Sequence, residues 1–233
     1  NPGEEDSPES GYRSRFRHKT EVAEPGYYAV TLDDHGVRAE LTATSRVGFH
    51  RYTFPKGSSP HVIIDLVHGL GDRATETNLN IVGPNKVTGM RRSTGWAKDQ
   101  YIYFTAELSQ PFSSFGISDS SGFIEGKEFV SGAKVKGALF FYELKGPLLI
   151  KVSLSAVDVL GAGKNMNAEL PGWGFDEVRD QALETWENEL SVIGIPKGNS
   201  IEKTIFYTAL YHSFIAPNVF YDVDGRYRGA DLQ

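Results

Sequence analysis

The chain has 233 residues, a formal charge of −6 and no cysteine, which excludes disulfides, thiolate metal sites and cysteine nucleophiles. Lysine and arginine are spread along it, without the basic stripe of a nucleic-acid binder. No apolar run approaches the roughly 20 residues of a membrane span, whereas 39% hydrophobic residues suffice for a sizeable core.

From Gly26 to about Val159 the pattern is that of strands. GYYAVTLDD, closed by the turn DDHG, leads into VRAELTATSRVGFHRYTFP. Tyr28, Val30 and Leu32 share one face, as do Val37, Ala39, Leu41 and Ala43, with Arg38, Glu40 and Thr42 opposite. A period of two on either side of a turn predicts an antiparallel hairpin. Gly48 is expected to break the register and Pro55 to close the strand. HVIIDLVHG reads as a short buried strand. NLNIVGPNKVTGMRRS and QYIYFTAELSQPF read as two more around the loop TGWAKD, and SFGIS, ALFFYEL and LLIKVSLSAV complete the set. Closely spaced strands with no helix between them predict a mainly β chain built as an antiparallel β-sandwich.

Near residue 174 the period changes. FDEVRDQALETWENEL places Val178, Ala182, Trp186 and Leu190 on one stripe and predicts an amphipathic helix. NSIEKTIFYTALYHSFI predicts a second helix, with Asn199 and Glu202 at the spacing of a capping box. Ile201, Ile205, Phe206, Ala209, Leu210 and Phe214 surround most of that helix, so it expects neighbours on several sides, and one other helix is predicted.

The densest polar cluster is DVDGRYRG, residues 222–229. Its glycine falls fourth, so the spacing of a calcium-binding EF-hand loop is not met. Either it is a structural turn, with Asp222 capping it and Arg226 and Arg228 paired to Asp224 or Asp231, or it is a shelf for a polar ligand. In the second case carboxylates accept hydroxyl hydrogen bonds, Arg donates them in a fork and Tyr227 does both. Trp96, in a polar loop, is either an edge of the core or a stacking plate for a sugar face. The six histidines form no metal-ligand pair, and His50 and His212 read as hydrogen-bonded fillers. There is no G-x-S-x-G elbow and no phosphate loop, and no acid–base carboxylate pair stands out.

GYRSRFRH, EVAEPGYYAVTL, AELTATSRVGFHRYTFP, STGWAKDQYIYF and above all FYTALYHSFIAPNVFYDVDGRYRG resemble glycoside hydrolase family 92, from about Gly11 to Gly229. The resemblance implies a β-sandwich at 1–172, incomplete at its N-terminus, a helical linker at 173–198 and, from 199 to 233, the first helix of an (α/α)6 barrel. It implies a calcium-dependent, inverting exo-α-mannosidase acting on terminal α-linked mannose of glycans. The catalytic carboxylates and most calcium ligands would then lie outside this chain, which would act with the remaining segments of the same enzyme. Asp222, Asp224, Tyr227 and Arg228 would contribute to the mannose pocket, Asp224 first. Trp96 and the Arg91–Arg92 pair would lie nearer the junction of sandwich and barrel. Family members imply a bacterial periplasmic or cell-surface setting. A different class of function, a carbohydrate-binding sandwich module without chemistry, would use Trp96 or Trp173 as stacking plates and would have no use for an apolar C-terminal helix.

Overall fold

The computed structural model describes residues 12–229, which form thirteen β-strands followed by three α-helices. Nine strands make one sheet, in the order β1 (Val22–Glu24), β2 (Tyr27–Leu32), β3 (Val37–Ala43), β4 (Val47–Thr53), β13 (Leu148–Ser155), β8 (Gln100–Leu108), β7 (Lys86–Thr94), β6 (Arg73–Gly83) and β11 (Phe129–Gly132). Four make the second, in the order β10 (Gly122–Glu125), β9 (Ser114–Asp119), β12 (Lys136–Phe140) and β5 (His61–Asp65). All pairings are antiparallel. The inner faces meet through Leu79, Val87, Phe104, Leu108, Ile117, Leu139, Leu148 and Ile150, so the expected sandwich is present.

The large sheet is covered on its outer face as well. Helix α1 (Val159–Glu169) lies across β13 and β8, and α2 (Phe175–Leu190) lies across β2, β3 and β4. A second core of Val47, Phe49, Leu170 and Phe175 forms beneath them, with Trp173 and Val178 packed against it. This is why the polar face of β3 is not simply solvated. Thr42 is buried and donates to Gly26 O, while Glu40 accepts from Arg51 and from Tyr27 Oη. Arg51 in turn pairs with Asp176 at the start of α2 and lies 4.2 Å from the Phe175 ring centroid. Lys151 is buried on the same face. Its Nζ donates to Leu170 O at 3.0 Å and sits 4.1 Å from the Trp173 ring centroid, and desolvation pulls its pKa below the usual lysine range.

Several expectations are corrected. Gly48 lies inside β4 paired with Ala43; the chain turns earlier, at residues 44–46, where Thr44 N donates to Val47 O. NLNIVGPNKVTGMRRS holds two strands, β6 and β7, rather than one. The short strands β1, β10 and β11 and the whole of α1 were not expected, so α3 (Ser200–Phe214) has two companion helices, not one. The capping box of α3 is present: Glu202 N donates to Asn199 Oδ1 at 2.9 Å and Asn199 N donates to Glu202 Oε2 at 3.0 Å. Among the described residues α3 meets α2 through the Trp186 and Tyr211 rings, 4.6 Å apart, and through Tyr207 Oη donating to Ile193 O. None of its residues is buried, and Ile201 and Ile205 are 69% and 65% exposed. His212 is exposed on α3 rather than a buried filler, whereas His50 is mostly desolvated and its Nδ1 lies 3.0 Å from Tyr52 Oη. No described helix is long and apolar enough to cross a membrane.

Candidate functional site

The segment 221–229 folds back over the junction between β13 and α1. Its turn is closed by Asp222 N donating to Arg226 O and Gly225 N donating to Asp222 O, with Gly225 at a φ of 81° that favours glycine. Asp222 is 3% exposed. One carboxylate oxygen accepts from Ser155 Oγ at 2.8 Å and the other from Asn165 Nδ2 at 2.8 Å. Asn165 Oδ1 accepts from Val223 N at 2.8 Å. Gly161, on the first turn of α1, leaves the space this carboxylate fills: a Cβ there would stand 2.1 Å from Asp222 Oδ2.

Arg226 forms the next layer. Its guanidinium donates to Asp158, the N-cap of α1, at 2.7 Å and to Asp224 Oδ2 at 3.0 Å. Asp224 also accepts from Lys164 Nζ at 2.8 Å. The Lys164 ammonium, with Arg226 behind it, holds Asp224 down to a pKa of about 2, and Arg226 depresses Asp158 in the same direction. Both are therefore firm carboxylates. They accept hydrogen bonds from hydroxyls but do not deliver a proton near neutral pH.

Arg228 forms the third layer. Its Nε donates to Ala156 O at 2.8 Å and its Nη2 to Val157 O at 3.1 Å, and its guanidinium lies 4.6 Å from the Tyr101 ring centroid and 5.8 Å from that of Tyr103. Arg92 shares Tyr101, at 4.8 Å, and forks onto Asp99 with two 2.7 Å bonds. Asp99 ends the loop that carries Trp96, which is fully exposed. Arg91 points to the other side of the sheet, where it pairs with Asp72. At the start of the segment, Arg46 donates to Tyr221 O and lies 4.9 Å from the Tyr221 ring centroid.

Asp222, Asp224, Tyr227 and Arg228 thus share one loop, yet they face differently. Asp222 and Arg228 are turned into the protein, Asp224 is partly open, and Tyr227 is 64% exposed. The proposed pairing with Asp231 lies outside the described residues. Sequence reasoning missed Ser155, Asp158, Lys164 and Asn165. The one local signal was Asp158 three residues before Gly161, the spacing of an N-cap, realised by Gly161 N donating to Asp158 Oδ1 at 2.6 Å. Among the described residues no group of three or more His, Asp or Glu is arranged to hold a metal. The loop carboxylates are engaged by Lys, Arg, Ser and Asn, so they do not supply the six to eight oxygens that calcium takes.

The glycosyl hydrolase family 92 N-terminal domain matches residues 1–155 and the glycosyl hydrolase family 92 catalytic domain matches 161–233. The chain belongs to this family, and the two matches meet at the β13–α1 junction where the loop is docked. It is similar to the family GH92 α-mannosidase BT3965 from Bacteroides thetaiotaomicron in complex with mannoimidazole, with 32% identity and a TM-score of 0.91 over 100% of this chain. It is also similar to the GH92 glycosyl hydrolase ccman5, with 27% identity and a TM-score of 0.82 over 94% of this chain. The GH92 inverting mannosidase BT2199 from the same Bacteroides species, at 24% identity and a TM-score of 0.82 over 93% of this chain, shares the fold. The chain spans 31%, 31% and 29% of those three structures. No curated protein matches it in sequence.

Proposed function

We propose that this chain is part of a calcium-dependent, inverting exo-α-mannosidase that removes terminal α-linked mannose from glycans. The observation that carries the reading is the family match across both halves, together with 32% identity, along the full chain, to an α-mannosidase solved with mannoimidazole. The acid and base of an inverting hydrolase stand roughly 6.5–9.5 Å apart with a water between base and sugar. The carboxylates of the loop and of Asp158 do not fit that work. Asp222 is buried and accepts from Ser155 and Asn165. Asp224 and Asp158 are engaged by Lys164 and Arg226, which leave them too acidic to give a proton and too weakly basic to take one. Their chemistry is that of acceptors for sugar hydroxyls, so we assign Asp224, with Tyr227, to binding and the proton transfers to carboxylates outside this chain. Trp96 and Arg228 border the same region, and Asp222 supports it from below. Calcium would be held mainly by ligands outside the described residues. The setting we propose is the periplasm or cell surface of a bacterium, and the partner is a mannose-terminated glycan together with the rest of the same polypeptide.

The test is hydrolysis of an aryl α-mannoside by the full-length enzyme, with calcium, with chelator, and after calcium is restored. Activity should be lost on chelation and regained with calcium, and NMR of the first-formed sugar should show the β-anomer. An enzyme silent on α-mannosides with calcium present sinks the reading.

A further inference from the structure

Asn165 sits in the interior of α1 with no exposure at all, where an apolar residue of similar volume would ordinarily be found. Its amide reaches two separate segments through three hydrogen bonds. Nδ2 donates to Leu154 O, near the end of β13, at 2.9 Å and to Asp222 Oδ1 at 2.8 Å, while Oδ1 accepts from Val223 N at 2.8 Å. An Asn side chain offers two donors and one acceptor atom, and here both kinds are used with a strand on one side and the loop on the other. The two contacts to the loop fall on adjacent residues, so they fix its register and not merely its proximity. Asp222 is locked from the opposite side by Ser155, and the layers of Arg226 and Arg228 follow in sequence. With those groups turned inward, Tyr227 and the open edge of Asp224 are left facing out.

We propose that Asn165 is the positioning residue of the sugar-binding loop: it sets the register of residues 221–229 against the sandwich and so places Asp224 and Tyr227 at the substrate. The inference rests on the reading of this loop as part of a mannosidase pocket. Neither an aspartate nor a leucine serves equally. An aspartate at 165 would set a carboxylate against that of Asp222 and against Leu154 O. A leucine would take the partner from Leu154 O and from Val223 N, and would leave one oxygen of the buried Asp222 unpaired.

The experiment compares full-length wild-type enzyme with Asn165→Asp, Asn165→Leu and the exchange pair Asn165→Asp with Asp222→Asn, all well below their melting temperatures. Hydrogen exchange of the amides in 221–229 is expected to quicken at least tenfold in both single variants, while β6, β7 and β8 keep wild-type protection. The KM for an aryl α-mannoside and the Kd for mannoimidazole should rise at least tenfold, with kcat falling less. The exchange pair restores the amide–carboxylate contact but not the donor to Leu154 O. Its KM should therefore fall at least threefold below that of Asn165→Asp without fully reaching wild type, which mere filling of space would not do. Loop exchange at the wild-type rate in both single variants overturns the proposal. So does faster loop exchange with KM and Kd unchanged, because the loop would then be held without placing the sugar. A wild-type enzyme with no α-mannosidase activity overturns the functional reading and the sugar-placing role with it; the loop exchange separately shows whether Asn165 sets the register.

Discussion

Gly161 and Asp222 share a space that admits only one of their side chains. Replacing an interior helix glycine by alanine ordinarily stabilises a protein by about 1 kcal/mol. At position 161 the new methyl would stand 2.1 Å from Asp222 Oδ2 and 2.7 Å from Ser155 Oγ, neither of which can yield without giving up its buried hydrogen bond. Gly161→Ala is therefore expected to destabilise, by roughly 1–3 kcal/mol, as read from urea unfolding. A gain in stability would mean that Asp222 is not seated as described. Asp224 gives a second reading at this scale. Its pKa is about 2 in the folded chain, against 3.8 for the unperturbed group, chiefly because it accepts from Lys164. A depressed carboxyl contributes its stabilisation above pH 3.8 and loses it as pH falls through 2. The ion pairs of Asp224 with Lys164 and Arg226 should thus persist at pH 3, where an ordinary aspartate is already mostly protonated. Carboxyl chemical shifts should give a midpoint near 2 for Asp224, moving upward in Lys164→Gln. An Asp224 midpoint near 4 in the wild type would show that these ion pairs do not form in solution.

The three helices differ in how much of each is written locally. In α2 the stripe Val178, Ala182, Trp186 and Leu190 names the half-buried side, and in α3 the Asn199–Glu202 pair names the start; both were legible. Helix α1 was not. It carries Gly161 and Gly163 within eleven residues, and its buried face includes Asn165, so propensity and hydrophobic period both argue against it. It exists because Asp158 caps it and because Ala162, Asn165 and Met166 find partners on the sheet and the loop, a tertiary cause that no local window contains. The site follows the same division. The residue types of DVDGRYRG marked a polar loop, but which of them face inward depends on Ser155, Asn165, Tyr101 and Tyr103, far earlier in the chain. The attachment of α2 is testable through Phe175. Its ring lies 5.3 Å from that of Phe49 and beneath the Arg51 guanidinium, and it is 4% exposed. Phe175→Ala is expected to cost about 3–5 kcal/mol in chemical denaturation, whereas Leu183→Ala, at a position 39% exposed, should cost well under 1 kcal/mol by the usual behaviour of surface positions.

On the scale of the molecule, the nine-stranded sheet separates two cores, and the second depends on residues that follow the sandwich. Ending the chain after residue 174 would uncover Val47, Phe49 and Tyr27 by removing Phe175 and Val178. Ending it after residue 198 would keep α2 on the sheet and remove only α3 and the loop. Because α3 buries none of its residues and exposes Ile201 and Ile205, its loss takes away an apolar surface of the kind that drives association. The two truncations should therefore behave in opposite ways. The chain ending at 198 should be more monodisperse than residues 1–233 in light scattering, and the chain ending at 174 should bind a hydrophobic dye and aggregate. The carbohydrate-binding module reading predicts a different order, since a self-sufficient sandwich needs neither helix and the shorter chain would be the better behaved. Aggregation of the chain ending at 174 would tie the sandwich to its helices as one folding unit, with α3 left as the face that meets the rest of the enzyme.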